Sequence, residues 1–209
     1  NPRYGLHGKS KLLQKFPMLT KQINELYESQ KAFNINQPLK KKYPRRMTIA
    51  PRPRYQIQVD LLDLSDISQF NDGIRYLLVA IDIFTRQAFV FPQKDKTQNS
   101  TLNSLKQLHQ LAGHFDRLQS DDGTEFKNKL VQDYLKNNHI FFFTTKSDVK
   151  ASIVERFNRT LRMLIKRYLD SVNSLRYIDV LDDLVYNYNS TKHRSLNMSP
   201  NLAEKNPDK

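Results

Sequence analysis

The chain has 209 residues, of which 38% are hydrophobic, and it contains no cysteine. Its length and apolar content suit one α/β domain with an appendage and exclude a disordered polymer. The lack of cysteine excludes disulfides and thiolate zinc sites, and the five histidines do not have metal-ligand spacing. No apolar run approaches the roughly 20 residues that span a membrane, and no signal-peptide apolar region is present. We therefore expect an intracellular protein without a membrane partner.

The net charge of +13 is unevenly distributed. Residues 1–54 contain 13 Lys and Arg and 2 Glu, a net charge of +11, whereas the remaining residues contain 21 basic and 19 acidic side chains, a net charge of +2. This asymmetry favours an amino-terminal arm that binds a polyanion, with a merely soluble basic tail as the alternative. The chain begins with Asn and ends soon after a proline-containing tail, so we expect it to be a piece of a longer protein.

The first 54 residues divide into two predicted segments. Residues 1–36 carry two short helical patterns separated by Pro17, with Thr20 as the expected N-cap of the second, and resemble a small helix-turn-helix unit without zinc. Residues 37–54 are rich in Pro, Lys and Arg, which predicts an extended basic linker with a DNA-binding role or, alternatively, a nuclear-import role. The linker residues that we expect to contact phosphates are Lys40, Lys41, Lys42, Arg45 and Arg46, followed by Arg52 and Arg54.

Residues 55–209 predict a single α/β core. A strand at 56–64 and an apolar strand at 76–84 are joined by a polar stretch that turns at Asp72-Gly73. Thr97 and Asn128 are expected helix N-caps, and Gly113 ends the first of these helices. That helix is expected to bury Leu102, Leu105, Leu108 and Leu111. The remaining predicted elements are strands at 88–91, 117–120 and 140–144 and helices at 98–112, 129–136, 150–170 and 174–187. Together they predict a mixed five-stranded sheet with helices on both faces.

Three acidic residues fall at positions where a carboxylate is costly to bury or where α/β folds usually form functional sites. Asp60 interrupts an apolar strand, Asp121 ends a short strand before a glycine turn, and Glu155 lies in the first turn of an amphipathic helix. Each has a structural alternative: a strand-edge acid, turn chemistry and a solvated helix charge. If the three converge, they supply the oxygen ligands that two hard divalent cations need for in-line phosphodiester chemistry.

Basic and amide side chains near Glu155 are candidate DNA contacts. Arg159 and Arg162 share a helix face with Glu155 and could hold phosphates, with a solvated helix surface as the alternative. Asn158 could contact DNA or orient a carboxylate. Lys146 and Lys150 belong to a polar loop that is a candidate flap over the DNA end.

Three further acids receive other predictions. Asp63 is three steps from Asp60 along a strand, so we expect it on the opposite face and outside the site. Asp82 is expected to accept hydrogen bonds from the turn at Thr85-Arg86. Glu125 is either a supporting acid near the site or a solvated turn residue.

Three motifs, in chain order, resemble the D,D-35-E signature of retroviral-type integrases. They are Gln58-Val59-Asp60, the segment Ser120–Phe126 and the segment Val154–Arg159. The closing stretch, with Tyr188-Asn189, His193-Arg194-Ser195 and Ser199-Pro200, is similar to the end of the same core, so the resemblance covers residues 50 to 205. The segment 150–161 is most similar to integrases of Maverick/Polinton-type DNA transposons and their virophage relatives.

The chain departs from the retroviral pattern at two points. The second and third acids are separated by 33 residues instead of 35, which indicates a shorter loop before the helix. The cysteine-containing zinc module at the amino terminus of retroviral integrases cannot be present, because the chain has no cysteine.

The resemblance implies a ribonuclease H-like core that processes DNA 3′ ends and joins them to target DNA with two Mg²⁺ or Mn²⁺ ions. Asp60, Asp121 and Glu155 match the catalytic metal ligands, and Asp122 matches the adjacent non-ligand position. The implied partners are element ends, target duplex and further copies of the chain in a dimer or tetramer, in the nucleus or a viral or element replication compartment. An inactive DNA-binding descendant and a two-metal nuclease of the same fold are the alternatives.

Overall fold

The structure, a computed structural model, describes residues 13–14, 16–29, 49–144 and 152–207. These fall into two units that divide between residues 47 and 48. The expected DNA-contact residues that lie outside the described residues are Lys40, Lys41, Lys42, Arg45, Arg46, Lys146 and Lys150.

The first unit contains a 3₁₀ turn, Pro17–Leu19, followed by helix α1 (Thr20–Ser29). Thr20 was expected to cap this helix, and that prediction is wrong. Thr20 has helical backbone angles (φ −53°, ψ −43°), and its hydroxyl donates to the Pro17 carbonyl oxygen at 2.5 Å instead of accepting from a helix amide. The 3₁₀ turn before it therefore continues directly into α1.

The second unit is built on the mixed five-stranded sheet that the sequence predicts. Its strands are β1 (Gln56–Asp63), β2 (Tyr76–Asp82), β3 (Ala88–Gln93), β4 (Arg117–Ser120) and β5 (Phe141–Thr144). The strand order is β3-β2-β1-β4-β5, with antiparallel pairing among the first three and parallel pairing of β1 with β4 and of β4 with β5. The carboxyl ends of β1 and β4 therefore meet at one edge of the sheet, where open α/β sheets usually form their sites.

The helices of this unit match most of the predicted ones. They are α2 (Gln98–Ala112), α3 (Thr124–Lys127), α4 (Lys129–Asn137), α5 (Ser152–Val172), α6 (Leu181–Ser190) and α7 (Pro200–Lys205). The N-caps at Thr97 and Asn128 are confirmed, because their side chains accept from the amides of Ser100 and Val131. Gly113, with φ 75°, ends α2 as expected.

Two details of the helix predictions are wrong. Leu111 is 67% exposed, and Ala112 is buried in its place. Each step of three residues rotates the side chain by about −60° around the helix axis. Leu111 is three such steps from Leu102, so the two side chains lie roughly on opposite sides of α2. The helix expected from Ser174 begins only at Leu181, after a 3₁₀ turn.

The segment before α6 is held by a side chain from the β1–β2 connection. That connection turns at Asp72 and Gly73, both with positive φ, which confirms the predicted turn. Beside it, the fully buried Asn71 accepts hydrogen bonds from the amides of Tyr177 and Ile178 and donates to the Leu175 carbonyl oxygen. These bonds satisfy the backbone without a helix.

The two faces of the sheet bury different side chains. One face packs against α2, α3 and α4 and forms the apolar core, which includes Ile57, Val59, Leu78, Ala80, Leu105, Leu108, Leu118, Phe126 and Leu135. The other face carries Gln58 and Asp60 toward α5, as the two-residue alternation of a strand requires. Within the described part of the chain, no helix combines the length and apolar character needed to cross a membrane.

Candidate active site

The register of the parallel strands brings Asp60 and Asp121 to one face. Gln58 of β1 lies opposite Gln119 of β4, and each aspartate follows its glutamine by two residues. The two aspartates therefore project from the same face of neighbouring strands, which are about 4.8 Å apart. Asp60 is half-buried within β1, whereas Asp121 is exposed just beyond the end of β4.

Three buried glutamines fasten the first turn of α5 to this face. Oε1 of Gln119 accepts from Nε2 of Gln56 at 2.6 Å and from Nε2 of Gln58 at 2.9 Å. Oε1 of Gln58 in turn accepts from the backbone amides of Ile153 and Val154, both at 3.1 Å. Because first-turn amides have no partner within a helix, Gln58 acts as the acceptor for two of them. This anchor positions Glu155, which directly follows Val154.

Asp60 interacts with all the acids that the sequence predicted to surround it. Its oxygens accept from the Leu61 amide at 2.8 Å and from Nδ2 of Asn158 at 2.7 Å. The pKa of Asp60 is raised to about 6, chiefly by burial and then by the charges of Asp121, Glu155 and Glu125, whereas the Leu61 amide opposes the shift. The side chains of the three predicted ligands are therefore within electrostatic range of one another.

The chemistry of this set fits a hard divalent cation, although its side chains are not closed around one. Among the described residues, no three acids or imidazoles lie close enough together to hold a metal ion as they stand. One Asp121 oxygen accepts from the Gly123 amide at 3.1 Å, and Glu155 is exposed. The donors are carboxylates, which Mg²⁺ and Mn²⁺ prefer, and the repulsion at Asp60 is of the kind that a bound cation relieves. Within the described part of the chain, the buried Oδ1 of Asn158 also has no hydrogen-bond partner.

The turn after β4 adds a fourth acid, Glu125, to the acidic cluster formed by Asp60, Asp121 and Glu155. Gly123 has no side chain, and a Cβ built there would lie 2.8 Å from the carboxylate of Glu125. Glycine therefore permits the half-buried Glu125 to lie against the turn. Asp122 forms an ion pair with Lys127 and accepts from the Thr144 hydroxyl at 3.2 Å, an arrangement consistent with the non-ligand position that the resemblance implies.

Asp63 and Asp82 have the structural roles predicted for them. Asp63 is exposed and accepts from the Ser65 amide at 2.9 Å. Asp82 is only 2% exposed, and one of its oxygens accepts from the amides of Phe84 and Thr85 at 2.8 and 2.7 Å. Its second oxygen accepts from the Arg54 amide at 2.6 Å, a contact that the sequence did not predict.

Several arginines expected to contact DNA have partners within the protein. A guanidinium nitrogen of Arg162 donates to the Asp63 carbonyl oxygen at 3.0 Å and so ties α5 to the end of β1. Arg52 pairs with Asp116, and Arg54 pairs with Glu204. Arg159 is exposed on the same side of α5 as Glu155.

Comparisons with known proteins agree with the fold. Residues 50–147 match the family model of the integrase core domain. A transposon-derived protein of Caenorhabditis elegans is 36% identical over 138 residues, which are 66% of this chain and 48% of that protein. The chain thus spans about half the length of this relative.

Solved structures with the same fold include two viral proteins. The HTLV-2 integrase catalytic core domain in complex with magnesium, in its trimeric form, has a TM-score of 0.63 at 19% identity and covers 74% of this chain and 98% of its own. The simian T-cell lymphotropic virus intasome in complex with the PP2A regulatory subunit B56 gamma has a TM-score of 0.71 at 17% identity and covers 100% of this chain and 76% of its own. The predicted fold and the resemblance to integrase cores are confirmed, whereas the Maverick/Polinton subfamily stays a prediction.

Proposed function

We propose that this chain is a DNA integrase of a mobile element, because residues 50–147 match the family model of the integrase core domain. It processes the 3′ ends of element DNA and joins them to a target duplex. The observation that carries the proposal is the grouping of three acids, since Asp60 and Asp121 share one face of β1 and β4 and Gln58 anchors the helix turn that carries Glu155. Repulsion between carboxylates costs stability, so their grouping calls for a functional reason.

Both steps of the proposed reaction are in-line displacements at phosphorus. In processing, a water oxygen attacks a phosphodiester, the bond from phosphorus to the 3′ oxygen breaks, and that oxygen takes a proton and leaves as a 3′-hydroxyl. In joining, this hydroxyl attacks a phosphodiester of the target, and the target's 3′ oxygen leaves, so one phosphodiester bond forms for each one broken. No further reactant is needed.

Asp60, Asp121 and Glu155 would hold the two Mg²⁺ or Mn²⁺ ions. When bound, such ions activate the attacking oxygen and stabilise the leaving one. Asn158 orients Asp60 through the hydrogen bond to its Oδ2, and Gln58 fixes the helix turn that carries Glu155. With a pKa of about 6, Asp60 is mostly ionised at neutral pH and holds a proton in acid, where its ability to bind a cation falls.

The chain is proposed to work on DNA as a multimer. Structures of similar fold include dimeric and trimeric integrase cores and an intasome, which supports this assembly for the present chain. The basic residues at 37–54 give the proposal its electrostatic support, because a cluster of Lys and Arg attracts the phosphate backbone.

The deciding assay mixes the protein with a labelled element-end duplex, a plasmid and Mn²⁺. We expect joined products from the wild type and none from Asp60→Asn, Asp121→Asn or Glu155→Gln, with DNA binding largely retained. Asp63→Asn is the matched control, since Asp63 lies on the same strand outside the site, and it should join normally. Full activity in any of the three site variants would refute the assignment. Cuts without joining would indicate a nuclease of the same fold, and binding alone an inactive descendant.

A further inference from the structure

A cleft of about 590 Å³ lies beside the first turns of α5. Arg156 lines it, whereas Asn158, two residues on, contacts Asp60. Two residues correspond to about 200° of helix rotation, so Arg156 lies on the opposite side of α5 from Asn158 and its contact with Asp60. The arginines that line the cleft are Arg86, Arg156, Arg159 and Arg194, and its aromatic lining consists of Phe157, Tyr188 and His193. No acidic residue is among the described residues that line it.

The positive charge at Arg86 is concentrated and incompletely satisfied. Its Nη1 is buried and has no hydrogen-bond partner among the residues that the structure describes. Burial lowers the pKa of the Arg86 guanidinium, and the charge of Arg156 lowers it further. Asp82 acts in the opposite direction but more weakly, and its oxygens already accept from backbone amides. A buried donor without an acceptor is costly, so an anion in the cleft would satisfy this group.

The aromatic lining and the following turn give the cleft a defined shape. The ring of Tyr188 packs against Phe157, with centroids 4.5 Å apart, and edge-on against His193 at 6.3 Å. Burial raises the pKa of Tyr188 to about 12, so its hydroxyl stays protonated and able to donate. The turn that carries Arg194 is closed by the His193 amide, which donates to the Met198 carbonyl oxygen at 2.8 Å.

We propose that this cleft binds a backbone phosphate of the DNA strand that leaves the acidic cluster across α5. The inference rests on the proposed function and adds a binding site for the DNA on the far side of that helix. Arg159 supports the path, because it lies only about 40° from Glu155 around the helix and also lines the cleft. Guanidinium groups match phosphate oxygens with paired donors. An α-helix is about 10–12 Å across, and successive nucleotides of one strand are about 3.4 Å apart. The phosphate bound in the cleft would therefore lie roughly three nucleotides from the reacting phosphate.

The test measures binding of a fluorescent duplex by anisotropy over a range of NaCl concentrations, in EDTA. Each phosphate contact contributes about 0.9 to the slope of log affinity against log salt. Arg194→Ala and Arg86→Gln should each make that slope shallower by up to about 1. Lys136→Ala is the matched control, because Lys136 is exposed on α4 at the other face of the sheet, and its slope should equal that of the wild type.

The outcomes separate this inference from the proposed function. An unchanged slope in both arginine variants overturns the inference that the cleft binds DNA. Arg194 is exposed, so its replacement carries little risk to folding. If inorganic phosphate raises the melting temperature of the wild type but not of Arg194→Ala, while the DNA slope stays unchanged, the cleft takes free phosphate and the DNA inference fails. Because binding is measured without metal, a shallower slope with no joined products would refute the integrase reaction and leave the cleft supported.

Discussion

Replacing Asp60 with asparagine should make the metal-free protein more stable at neutral pH while abolishing its proposed activity. The ordinary pKa of 3.8 applies in the unfolded chain, and the folded protein raises it to about 6. Below pH 3.8 the carboxyl is protonated in both states and no penalty exists. As the pH rises above 3.8 the unfolded chain loses its proton first, so the folded state is progressively penalised until the penalty is complete above pH 6.

The size of the effect follows from the pKa shift and the hydrogen bonds. A shift of about 2 units corresponds to about 3 kcal/mol at pH 7.5 and about 1 kcal/mol at pH 4.5. Asparagine offers one oxygen where Asp60 uses two, for Leu61 and Asn158, so the variant loses one hydrogen bond worth about 1 kcal/mol. We therefore expect Asp60→Asn to gain about 2 kcal/mol at pH 7.5 and almost nothing at pH 4.5.

Urea denaturation in EDTA at the two pH values measures this difference directly. Asp63→Asn is the control of opposite sign, because hydrogen bonds from Ser65 lower the pKa of Asp63, so that the charged form stabilises the fold at neutral pH. Added Mg²⁺ should stabilise the wild type and not Asp60→Asn. Equal stability of Asp60→Asn and wild type at pH 7.5, or the same gain at both pH values, would show that burial and the neighbouring carboxylates do not raise the pKa of Asp60.

Three further substitutions and one comparison variant, Gln56→Leu, test buried side-chain contacts of the core, each by urea denaturation. Gln58→Leu removes the acceptor for two helix amides and should lower the free energy of unfolding by about 3 kcal/mol. Gln56→Leu loses only the hydrogen bond to Gln119 and should lower it by about 1 kcal/mol. Equal losses in the two variants would disprove the role of Gln58 as the anchor of α5. Asp82→Ala leaves buried amides unsatisfied and should cost about 3 kcal/mol, and a neutral result would contradict its structural role. Asn71→Ala should cost about as much, and a loss under 1 kcal/mol would mean that the segment before α6 is held by other contacts.

The features that sequence reasoning predicted correctly are those with a local cause. Thr97 and Asn128 cap helices through bonds to residues three positions away, and Asp72-Gly73 turns the chain through its own backbone angles. The sequence could also predict that Asp60 and Asp121 lie close together, because both fall toward the carboxyl ends of their strands. The order of strands and helices along the chain predicts that these two strands are parallel.

The features that were missed depend on partners far away in the sequence. Asn71 holds the segment before α6 from more than 100 residues away, so helical periodicity alone placed a helix start at Ser174 where none exists. Gln58 reaches helix amides 95 and 96 residues later, and a glutamine alternating along a strand gives no sign of that contact. The exposed Leu111 reflects a different cause, since a repeat of three residues drifts around the helix.

The chemistry of Gln58 suits a helix anchor placed beside carboxylates. An aspartate or glutamate could accept from the same two amides, but its charge, two residues from Asp60, would raise further a pKa that is already about 6. A lysine could not accept at all. The neutral amide accepts from α5 through its oxygen and donates to Gln119 through its nitrogen, so it fixes Glu155 without changing the charge of the cluster. The acidic charge beside α5 is thus left to the residues that would bind a cation, and the basic charge to the cleft on the helix's other side.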